Sequence, residues 1–330
     1  MRRAQSRTAH IRAPHIEEEL VIYNNVLEAM GHTPLIRLNS FCEEDAAQIV
    51  AKFEGINIGG SVKTRTAYQM ITAAEERGDI TPETIIVEPT SGNQGIGLAL
   101  VAAVKGYKAT IIMPDSVSVE RRKLVRHYGA DVIVIHDEGD IGKCIQECIN
   151  TANRMAAEDP NVYVPQQFEN IDNLYAHKYH TALEISEDME GPIDGFCSGI
   201  GTGGTISGIG QTLKSLYPEI EIWAVEPENA AILSGGGIGT HLQMGIGDGL
   251  IPDILDQNIY SDICIISDEE ALETARALAK QEGLMVGVSS GTNVAAARRL
   301  ARKLGPGKTV VTLLPDTGER YFSTELFAGE

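Results

Sequence analysis

The sequence predicts an α/β protein in which mainly parallel sheets are covered by helices on both faces. Short runs rich in Val and Ile alternate with longer amphipathic segments along nearly the whole chain. That alternation is typical of βαβ units, whose strands pair in parallel. The length of 330 residues suggests about two domains, and 43% of the residues are hydrophobic, which is ample for a core in each. We therefore expect two three-layer αβα subdomains.

The strands are predicted where β-branched residues cluster, at residues 47–54, 84–88, 108–113, 131–135, 163–165, 195–198, 221–226 and 309–314. The helices are predicted at residues 61–77, 93–105, 119–128, 141–157, 174–189, 204–216, 268–282 and 292–304. In the first helix the apolar residues recur at helical spacing, at Val62, Ala67, Met70, Ile71 and Ala74. Ligands of open α/β sheets bind beyond the carboxyl ends of the strands, so a site is expected in the turns that follow them.

The charge balance argues against several partners. The chain has 27 Lys and Arg against 46 Asp and Glu, which gives a net charge of −19. Nucleic-acid phosphates and anionic membrane surfaces repel such a protein, so neither is expected as a partner. No run approaches the roughly 20 apolar residues of a membrane span, and the N-terminus has no apolar signal-peptide core. We expect a cytoplasmic protein.

The cysteines and the N-terminus carry weaker signals. The five cysteines form no CxxC pair and no Cys/His cluster, which is typical of free thiols in a reducing compartment, and no metal site is predicted. Residues 1–20 begin with several arginines and no acid before Glu17. We interpret this segment as a flexible arm, or as one that docks on a partner subunit, although it faintly resembles an organelle transit peptide.

A lysine stands at an electrostatically unfavourable place. Gly59 and Gly60 allow a tight turn, Ser61 is a candidate N-cap, and Lys63 then falls near the first turn of a helix. A helix N-terminus favours anions rather than cations. A bound cofactor would explain Lys63, and a solvated surface lysine is the alternative.

Two more turns are candidate anion sites. Residues 88–95 bring hydroxyls, amides and helix N-terminal N–H groups together, which suits a carboxylate or phosphate, although a simple capping turn is the alternative. Residues 198–205 combine glycines with threonines in a nest that suits a phosphate. This second turn is neither a P-loop nor a clean dinucleotide fingerprint, for which Glu226 is the one candidate ribose ligand.

Taken together, these turns resemble those of the fold-type II pyridoxal-phosphate enzymes, and more narrowly the cysteine synthase and cystathionine β-synthase group. The resemblance covers about residues 21–327 and is carried by GHTPLIRL (31–38), GGSVK (59–63), EPTSGN (88–93), QQFEN (166–170), GIGTGGT (199–205), SSG (289–291) and LPDTGERY (314–321). It implies a tryptophan synthase β-like fold, pyridoxal 5′-phosphate as cofactor and a homodimer. It also implies a smaller mobile domain over residues 21–170, whose early chain crosses over to the larger domain, residues 171–330.

The resemblance implies a role for each turn. Lys63 matches the lysine that holds the cofactor as a Schiff base and then takes the Cα proton of the substrate. The substrate carboxylate is expected at Thr90, Ser91, Gly92, Asn93, Gln94 and Gln167, with Asn93 also reaching the 3′ oxygen of the cofactor. The cofactor phosphate is expected at Gly201, Thr202, Gly203, Gly204 and Thr205. Ser289 is expected beside the pyridine nitrogen.

The expected reaction is β-replacement on a serine-derived amino acid. Because a neutral Ser289 does not stabilise a pyridinium, a carbanion with a leaving group at Cβ tends to eliminate, which gives an α-aminoacrylate to which a nucleophile adds. The leading hypothesis is O-acetyl-L-serine plus sulfide giving L-cysteine plus acetate. A regulatory paralogue without turnover and a nicotinamide-dependent oxidoreductase are hypotheses of other classes.

Departures from the pattern of the group concern the second substrate. Gln94 stands where threonine is common, and Asp248 stands where an alanine is common. A carboxylate at this position would repel hydrosulfide but could activate water or orient an amino group, so Asp248 is a candidate catalytic residue; a solvent-facing loop aspartate is the other interpretation. The alternative reaction starts from L-cysteine, releases hydrogen sulfide, and adds water or a second amino acid.

Overall fold

The computed structural model describes residues 22–90, 92–138 and 141–328. The predicted N-terminal arm, residues 1–20, and Ser91 lie outside these ranges. The described strands are β1 Leu35–Arg37, β2 Gln48–Phe53, β3 Ile85–Pro89, β4 Lys108–Pro114, β5 Asp131–Ile135, β6 Val162–Tyr163, β7 Gly195–Gly199, β8 Glu221–Pro227, β9 Asp262–Ile266 and β10 Thr309–Leu314.

The described helices alternate with these strands. They are α1 Lys63–Arg77, α2 Asn93–Lys105, α3 Val119–His127, α4 Ile141–Glu158, α5 Ile171–Ala176, α6 Ala182–Asp188, α7 Gly204–Leu216, α8 Asp268–Ala277 and α9 Val288–Leu304. A π-helical turn, His177–Thr181, joins α5 to α6, and a second one, Leu278–Glu282, follows α8. None of the described helices is both long and apolar enough to cross a membrane.

The described strands form two sheets. The larger has the order β1-β2-β10-β7-β8-β9, and all its neighbours are parallel except β1, which is antiparallel to β2. The smaller has the order β5-β4-β3-β6 and is parallel throughout. The chain enters the larger sheet at β1 and β2, builds the smaller sheet, and returns at β7. The predicted α/β class with mainly parallel sheets is confirmed.

Helices cover both faces of each sheet because the strands are apolar on both sides. In the fully buried β10, Val310 packs with α8 and α9 while Val311 packs with α6 and α7. In the smaller sheet, Ile111 packs with α1 and α2, while Ile112 packs with α4. Each sheet is therefore the middle of a three-layer αβα sandwich.

Most predicted elements lie within a few residues of their observed bounds, and three differences matter. The sequence prediction missed β1, which has only three residues, and β9. Helix α9 begins at Val288, earlier than the predicted residue 292, so Ser289 lies inside its first turn. The predicted cap of α1 is wrong, because the N-cap is Val62 and no side chain caps the helix.

A buried ionic network holds the first turn of α1 against the larger sheet. Arg65 is 3% exposed and pairs through Nε with Glu54 Oε2 at 2.9 Å. Its Nη1 and Nη2 atoms donate to Glu184 of α6 at 2.5 and 2.7 Å, and Lys52 of β2 pairs with the same carboxylate at 2.9 Å. Burial favours the neutral form of Glu184, but the hydrogen bonds from Arg65 and Lys52 lower its pKa to about 2. Lys63, two residues from Arg65, is therefore anchored through its helix.

Candidate active site

A cavity of about 280 Å³ lies where the carboxyl ends of strands from both sheets meet. Its walls come from the segments that follow β3, β6, β7 and β10, together with the start of α1 and residues 244–253. A cleft at the carboxyl ends of parallel strands is where α/β proteins bind small ligands.

Lys63 is the first residue of α1 and lines the cavity. The preceding turn is fixed from the C-terminal part of the chain, because Ser61 forms a β-bridge with Asp316 and the Val62 N–H donates to the Pro315 carbonyl at 2.9 Å. Burial lowers the pKa of Lys63 to about 8, and the negative charge of Asp248 opposes this shift. About a tenth of the amine is therefore neutral at pH 7, far more than for an ordinary lysine, and the neutral form is the nucleophile.

The glycine loop, residues 199–205, leads into the thirteen-residue helix α7 and includes its first two residues. Thr202 Oγ1 accepts from Lys63 Nζ at 3.5 Å and from Asn173 Nδ2 at 2.9 Å, so its own O–H is left to donate elsewhere. Gly203 has φ +80°, and a Cβ there would lie 2.8 Å from Leu255 Cβ. The backbone of the loop therefore comes close to its neighbours. Because the first N–H groups of a helix have no partner within the helix, those at the start of α7 are available for an anion.

The TSGN turn, residues 90–94, opens α2 next to Lys63. Gln94 is 1% exposed; the Thr66 hydroxyl donates to its Oε1 at 2.6 Å, and among the described residues its Nε2 donor has no partner. Thr90 Oγ1 accepts from the Gly92 N–H at 3.3 Å, which leaves its own proton to donate. These donors and the N-terminus of α2 suit a carboxylate.

Asn93 is held from the C-terminal end of the chain. Its Nδ2 donates to Asp316 Oδ2 at 2.6 Å, and its Oδ1 accepts from Arg320 Nη1 at 2.9 Å. The Tyr321 hydroxyl donates to the same Asp316 oxygen at 2.7 Å. The sequence marked LPDTGERY as a motif but did not indicate that its side chains would clamp Asn93.

Gln167 approaches the TSGN turn from the segment after β6. Glu88, at the end of β3, accepts the backbone N–H groups of Gln166 and Gln167 at 3.0 and 3.1 Å. Asn173 Nδ2 donates to the Gln167 carbonyl at 2.8 Å and, as noted, reaches Thr202. These bonds tie the Gln167 segment to the glycine loop.

The Asp248 loop, residues 244–250, forms another wall of the cavity. Gly245, Gly247 and Gly249 all have positive φ, between +69° and +94°. A Cβ at Gly201 would lie 2.6 Å from the Gly245 carbonyl and 3.6 Å from Asp248 Oδ2, so the two loops are in contact. Burial raises the pKa of Asp248, while the positive charge of Lys63 opposes this shift.

The cavity brings together nearly all the predicted site residues. Those that line it are Lys63, Thr90, Gly92, Asn93, Gln94, Gln167, Gly201, Thr202, Gly203, Thr205, Asp248 and Ser289. Gly204 lies just behind the wall, where a Cβ would be 2.4 Å from Asn173 Oδ1, and Ser91 is outside the described residues. Sequence reasoning missed Glu88 and Arg121 as cavity residues, although Glu88 stands in the EPTSGN motif.

Arg121 is 2% exposed and belongs to α3. Its Nη2 donates to the Tyr321 hydroxyl at 2.9 Å, and its guanidinium lies 4.9 Å from the centre of the Tyr321 ring. A Cβ at Gly92 would lie 2.9 Å from Arg121 Cδ and Nε. A buried cation thus packs directly behind the N-cap of α2 and adds positive potential where a carboxylate would bind.

The nicotinamide-dependent hypothesis finds no support at its candidate ribose ligand. Glu226, the candidate ribose ligand, instead accepts the backbone N–H groups of Leu233 and Ser234 and the Ser234 hydroxyl, at 2.6 to 3.1 Å. All five cysteines lie within the described residues as free thiols, and the described residues contain no group of three or more His, Cys, Asp or Glu that could hold a metal ion.

The residues around the cavity fit a phosphorylated aldehyde. The amine of Lys63, with its lowered pKa, can bond an aldehyde carbon, and the glycine loop beside it offers backbone N–H and hydroxyl donors for a phosphate. The close contacts at Gly201 and Gly203 leave no room for side chains in that cradle. Ser289, in the first turn of α9, faces the same cavity and offers a neutral hydroxyl to a ring nitrogen.

Comparison with known sequences agrees with this fit. Residues 26–316 match the family model described as "Pyridoxal-phosphate dependent enzyme". The chain is 46% identical over 312 residues to a probable cysteine synthase of Bacillus subtilis, an alignment that covers 94% of this chain and 99% of the relative. It is 45% identical over 306 residues to a cysteine synthase of Staphylococcus aureus, covering 92% and 97%.

Solved structures with the same fold include enzymes of different specificity. A cysteine synthase of Entamoeba histolytica has a TM-score of 0.89 at 38% identity, covering 96% of this chain and 94% of that one. O-ureido-L-serine synthase has 0.87 at 38%, covering 94% and 96%. A hydrogen sulfide-producing enzyme of Fusobacterium nucleatum has 0.86 at 39%, covering 91% and 100%. The sequence match over most of the chain, together with the fold and the cavity, establishes that this chain belongs to the family of pyridoxal-phosphate dependent enzymes.

Proposed function

We propose that the protein is a cysteine synthase, which converts O-acetyl-L-serine and sulfide into L-cysteine and acetate. The observation that carries this proposal is the position of Lys63, whose amine faces the glycine loop in the same cavity as the TSGN turn. The high identity to relatives named cysteine synthase, over nearly their whole length, supports this choice among the reactions of the family.

The cofactor is held, in this proposal, by Lys63 at its aldehyde carbon, by residues 201–205 at its phosphate, and by Asn93 and Ser289 at the ring. When bound, it supplies an electron-withdrawing conjugated ring that acidifies the Cα–H of an attached amino acid. The residues of the chain then have three tasks, which are to bind the carboxylate of the amino acid, to move the Cα proton and to admit the nucleophile.

The carboxylate of the amino acid binds at the N-terminus of α2. In this proposal Thr90, Gly92, Asn93 and Gln94 contact it on one side and Gln167 on the other, and Ser91 is a further contact that the motif implies. The Gln94 Nε2, which has no partner among the described residues, gains one in a bound carboxylate. Arg121, packed behind Gly92, favours the anion without a direct contact being required.

Lys63 takes the Cα proton once its amine is no longer bonded to the cofactor. The amine has a pKa of about 8 because burial disfavours its charged form. It can therefore be neutral when it accepts the proton and charged when it returns one, as a general base working near neutral pH requires. Movement of the smaller unit, residues 21–170, against residues 171–330 would close the cavity around the substrate and exclude water.

A second candidate function uses L-cysteine as the first substrate and releases hydrogen sulfide. The observation that favours it is Asp248, a carboxylate in the cavity wall whose charge reaches Lys63. A carboxylate repels hydrosulfide, but it can accept a proton from water or orient the ammonium group of a second amino acid. The product would then be serine, lanthionine or cystathionine.

Two assays on the purified holoenzyme separate these functions. We expect rapid cysteine formation from O-acetyl-L-serine plus sulfide, and slower sulfide release from L-cysteine alone. If sulfide release is the faster reaction, the second function is the principal one. If neither reaction occurs, both proposals fail. Absence of the cofactor's yellow colour would also contradict the assignment of Lys63.

We also propose that the protein works in the cytoplasm as a homodimer. The five free thiols are compatible with a reducing compartment. Sedimentation of the purified holoenzyme tests the dimer, for which the mass expected is about twice the 35.5 kDa of one chain.

A further inference from the structure

A buried carboxylate joins the TSGN turn to the segment that carries Gln167. Glu88 is the residue before Pro89 at the end of β3 and is 1% exposed. Its Oε2 accepts the Gln166 N–H at 3.0 Å, and its Oε1 accepts the Gln167 N–H at 3.1 Å. Two successive backbone donors on the two oxygens of one carboxylate fix both the position and the orientation of the turn.

The turn needs such a restraint because its backbone is strained. Gln166 has φ +58°, a left-handed conformation that residues with a side chain rarely adopt. The Gln166 carbonyl accepts the N–H groups of Glu169 and Asn170, both at 2.9 Å. A strained residue of this kind persists where its surroundings hold it in place, and here the N–H side is held by Glu88.

The position of Gln167 depends on the same bonds. The side chain of Gln167 lines the cavity, and its Nε2 donates to the carbonyl of Pro89 at 3.5 Å. Pro89 directly follows Glu88 in the chain. Glu88 therefore fixes Gln167 relative to the TSGN turn, which begins two residues further along the chain. Burial raises the pKa of Glu88 to about 7, while the N–H groups of Gln167 and Gln166 favour its ionised form and the charge of Glu169 opposes it.

We propose that Glu88 is a positioning residue for the binding of the amino-acid substrate. It acts through the 166–167 turn, which it holds so that Gln167 and the TSGN turn enclose the substrate carboxylate from two sides. The proposal deepens the proposed function and rests on it, because that function gives Gln167 its contact with substrate.

The test is Glu88→Gln, which keeps the size of the side chain. The amide oxygen can still accept one N–H, but the amide nitrogen then faces the other N–H donor. We expect the KM for O-acetyl-L-serine to rise by about tenfold or more, with kcat and the cofactor absorption band little changed. Glu76→Gln removes the same charge from an exposed position on α1 and should leave KM unchanged. An unchanged KM in Glu88→Gln would overturn the proposal.

A double-mutant cycle separates positioning from a general loss of structure. If Glu88 acts through Gln167, then Glu88→Gln should add little to the KM of a Gln167→Ala variant. Fully additive effects on KM contradict the proposal.

Hydrogen exchange of the resting holoenzyme tests the restraint without turnover. We expect the amides of Gln166 and Gln167 to exchange about tenfold faster or more in Glu88→Gln. Unchanged exchange overturns the proposal whatever the activity. If the wild-type enzyme converts no substrate but Glu88→Gln speeds the exchange of these two amides as expected, the proposed function is wrong. The restraint of the turn by Glu88 is then still supported.

Discussion

The glycine loop and the Asp248 loop are both rich in glycine and face one cavity, yet their glycines serve different purposes. In residues 199–204, all of which are described, a Cβ on any glycine would meet a neighbouring atom within 3.0 Å. In the Asp248 loop all three glycines have positive φ, and a Cβ on Gly245 would meet nothing within 4 Å. Close packing therefore excludes a side chain at every glycine of the first loop. In the second loop the backbone conformation favours glycine at all three positions, and at Gly247 a Cβ would in addition lie 2.7 Å from Pro227 Cγ.

This difference matches the roles proposed for the two loops, the glycine loop toward the cofactor and the Asp248 loop toward the second substrate. The glycine loop is packed so tightly that its shape suits one group, a phosphate. In the Asp248 loop, a side chain at Gly245 would meet no neighbouring atom within 4 Å. Packing fixes the shape of the glycine loop, and we propose that the identity of the nucleophile is decided in the Asp248 loop.

The largest effect is expected from removing Lys63 on the cofactor side of the cavity. Lys63→Ala removes the amine that bonds the cofactor and moves the Cα proton, so activity should fall by about 10³-fold or more. The visible absorption of the cofactor bound to lysine should disappear from the spectrum. Lys308→Ala, an exposed lysine paired with Asp194, serves as the control. A Lys63→Ala protein that keeps the absorption band would contradict the assignment.

The support of α1 can be removed at Arg65. Arg65→Met leaves Glu54 and Glu184 as buried carboxylates without this partner, and we expect the free energy of unfolding to fall by about 3–5 kcal/mol. Arg299→Met on α9 is the control, because Arg299 is half-exposed and pairs with the partly exposed Glu270, so its loss should cost about 1 kcal/mol or less. Denaturant unfolding measures both, and equal losses would show that the buried network does not anchor the helix.

A comparison of two glycine substitutions tests the difference between the loops directly. Gly201→Ala places a Cβ 2.6 Å from the Gly245 carbonyl, and we expect the Kd of the cofactor to rise by about tenfold or more. Gly245→Asn introduces a side chain into open space, and asparagine tolerates positive φ. The Kd of the cofactor should therefore change by less than about threefold. Spectroscopic titration of the apoenzyme gives both values, and similar losses would remove the distinction.

Features of the molecule that depend on local sequence could be predicted, and those that depend on contacts between distant segments could not. The fold and the turns that form the cavity were predictable because strand and helix periodicity is local and because the glycine and threonine motifs are specific. The clamp on Asn93 was not, since Asp316 lies 223 residues away in the chain. Glu88 was quoted as part of a motif, yet nothing local shows that a carboxylate at a strand end is buried and bonded to residues 166 and 167.

The pH dependence of cofactor binding tests the coupling between the two walls. Because the pKa of Lys63 is lowered to about 8, the rate at which apoenzyme binds cofactor should rise with pH through a midpoint near 8. Asp248 raises that pKa, so Asp248→Asn should move the midpoint to lower pH, by less than about one unit. Asp253→Asn removes another carboxylate of the cavity wall and should leave the midpoint in place. A midpoint that Asp248→Asn does not move would show that the two residues are uncoupled.

The most direct test of the account is the reaction preference of Asp248→Asn. The measurement is the ratio of cysteine formation from O-acetyl-L-serine plus sulfide to sulfide release from L-cysteine alone, in the variant and in the wild-type holoenzyme. Since the substitution removes the charge that repels hydrosulfide and the base that activates water, we expect this ratio to rise by about tenfold or more, with the cofactor spectrum unchanged. An unchanged ratio would contradict the claim that the Asp248 loop decides the nucleophile.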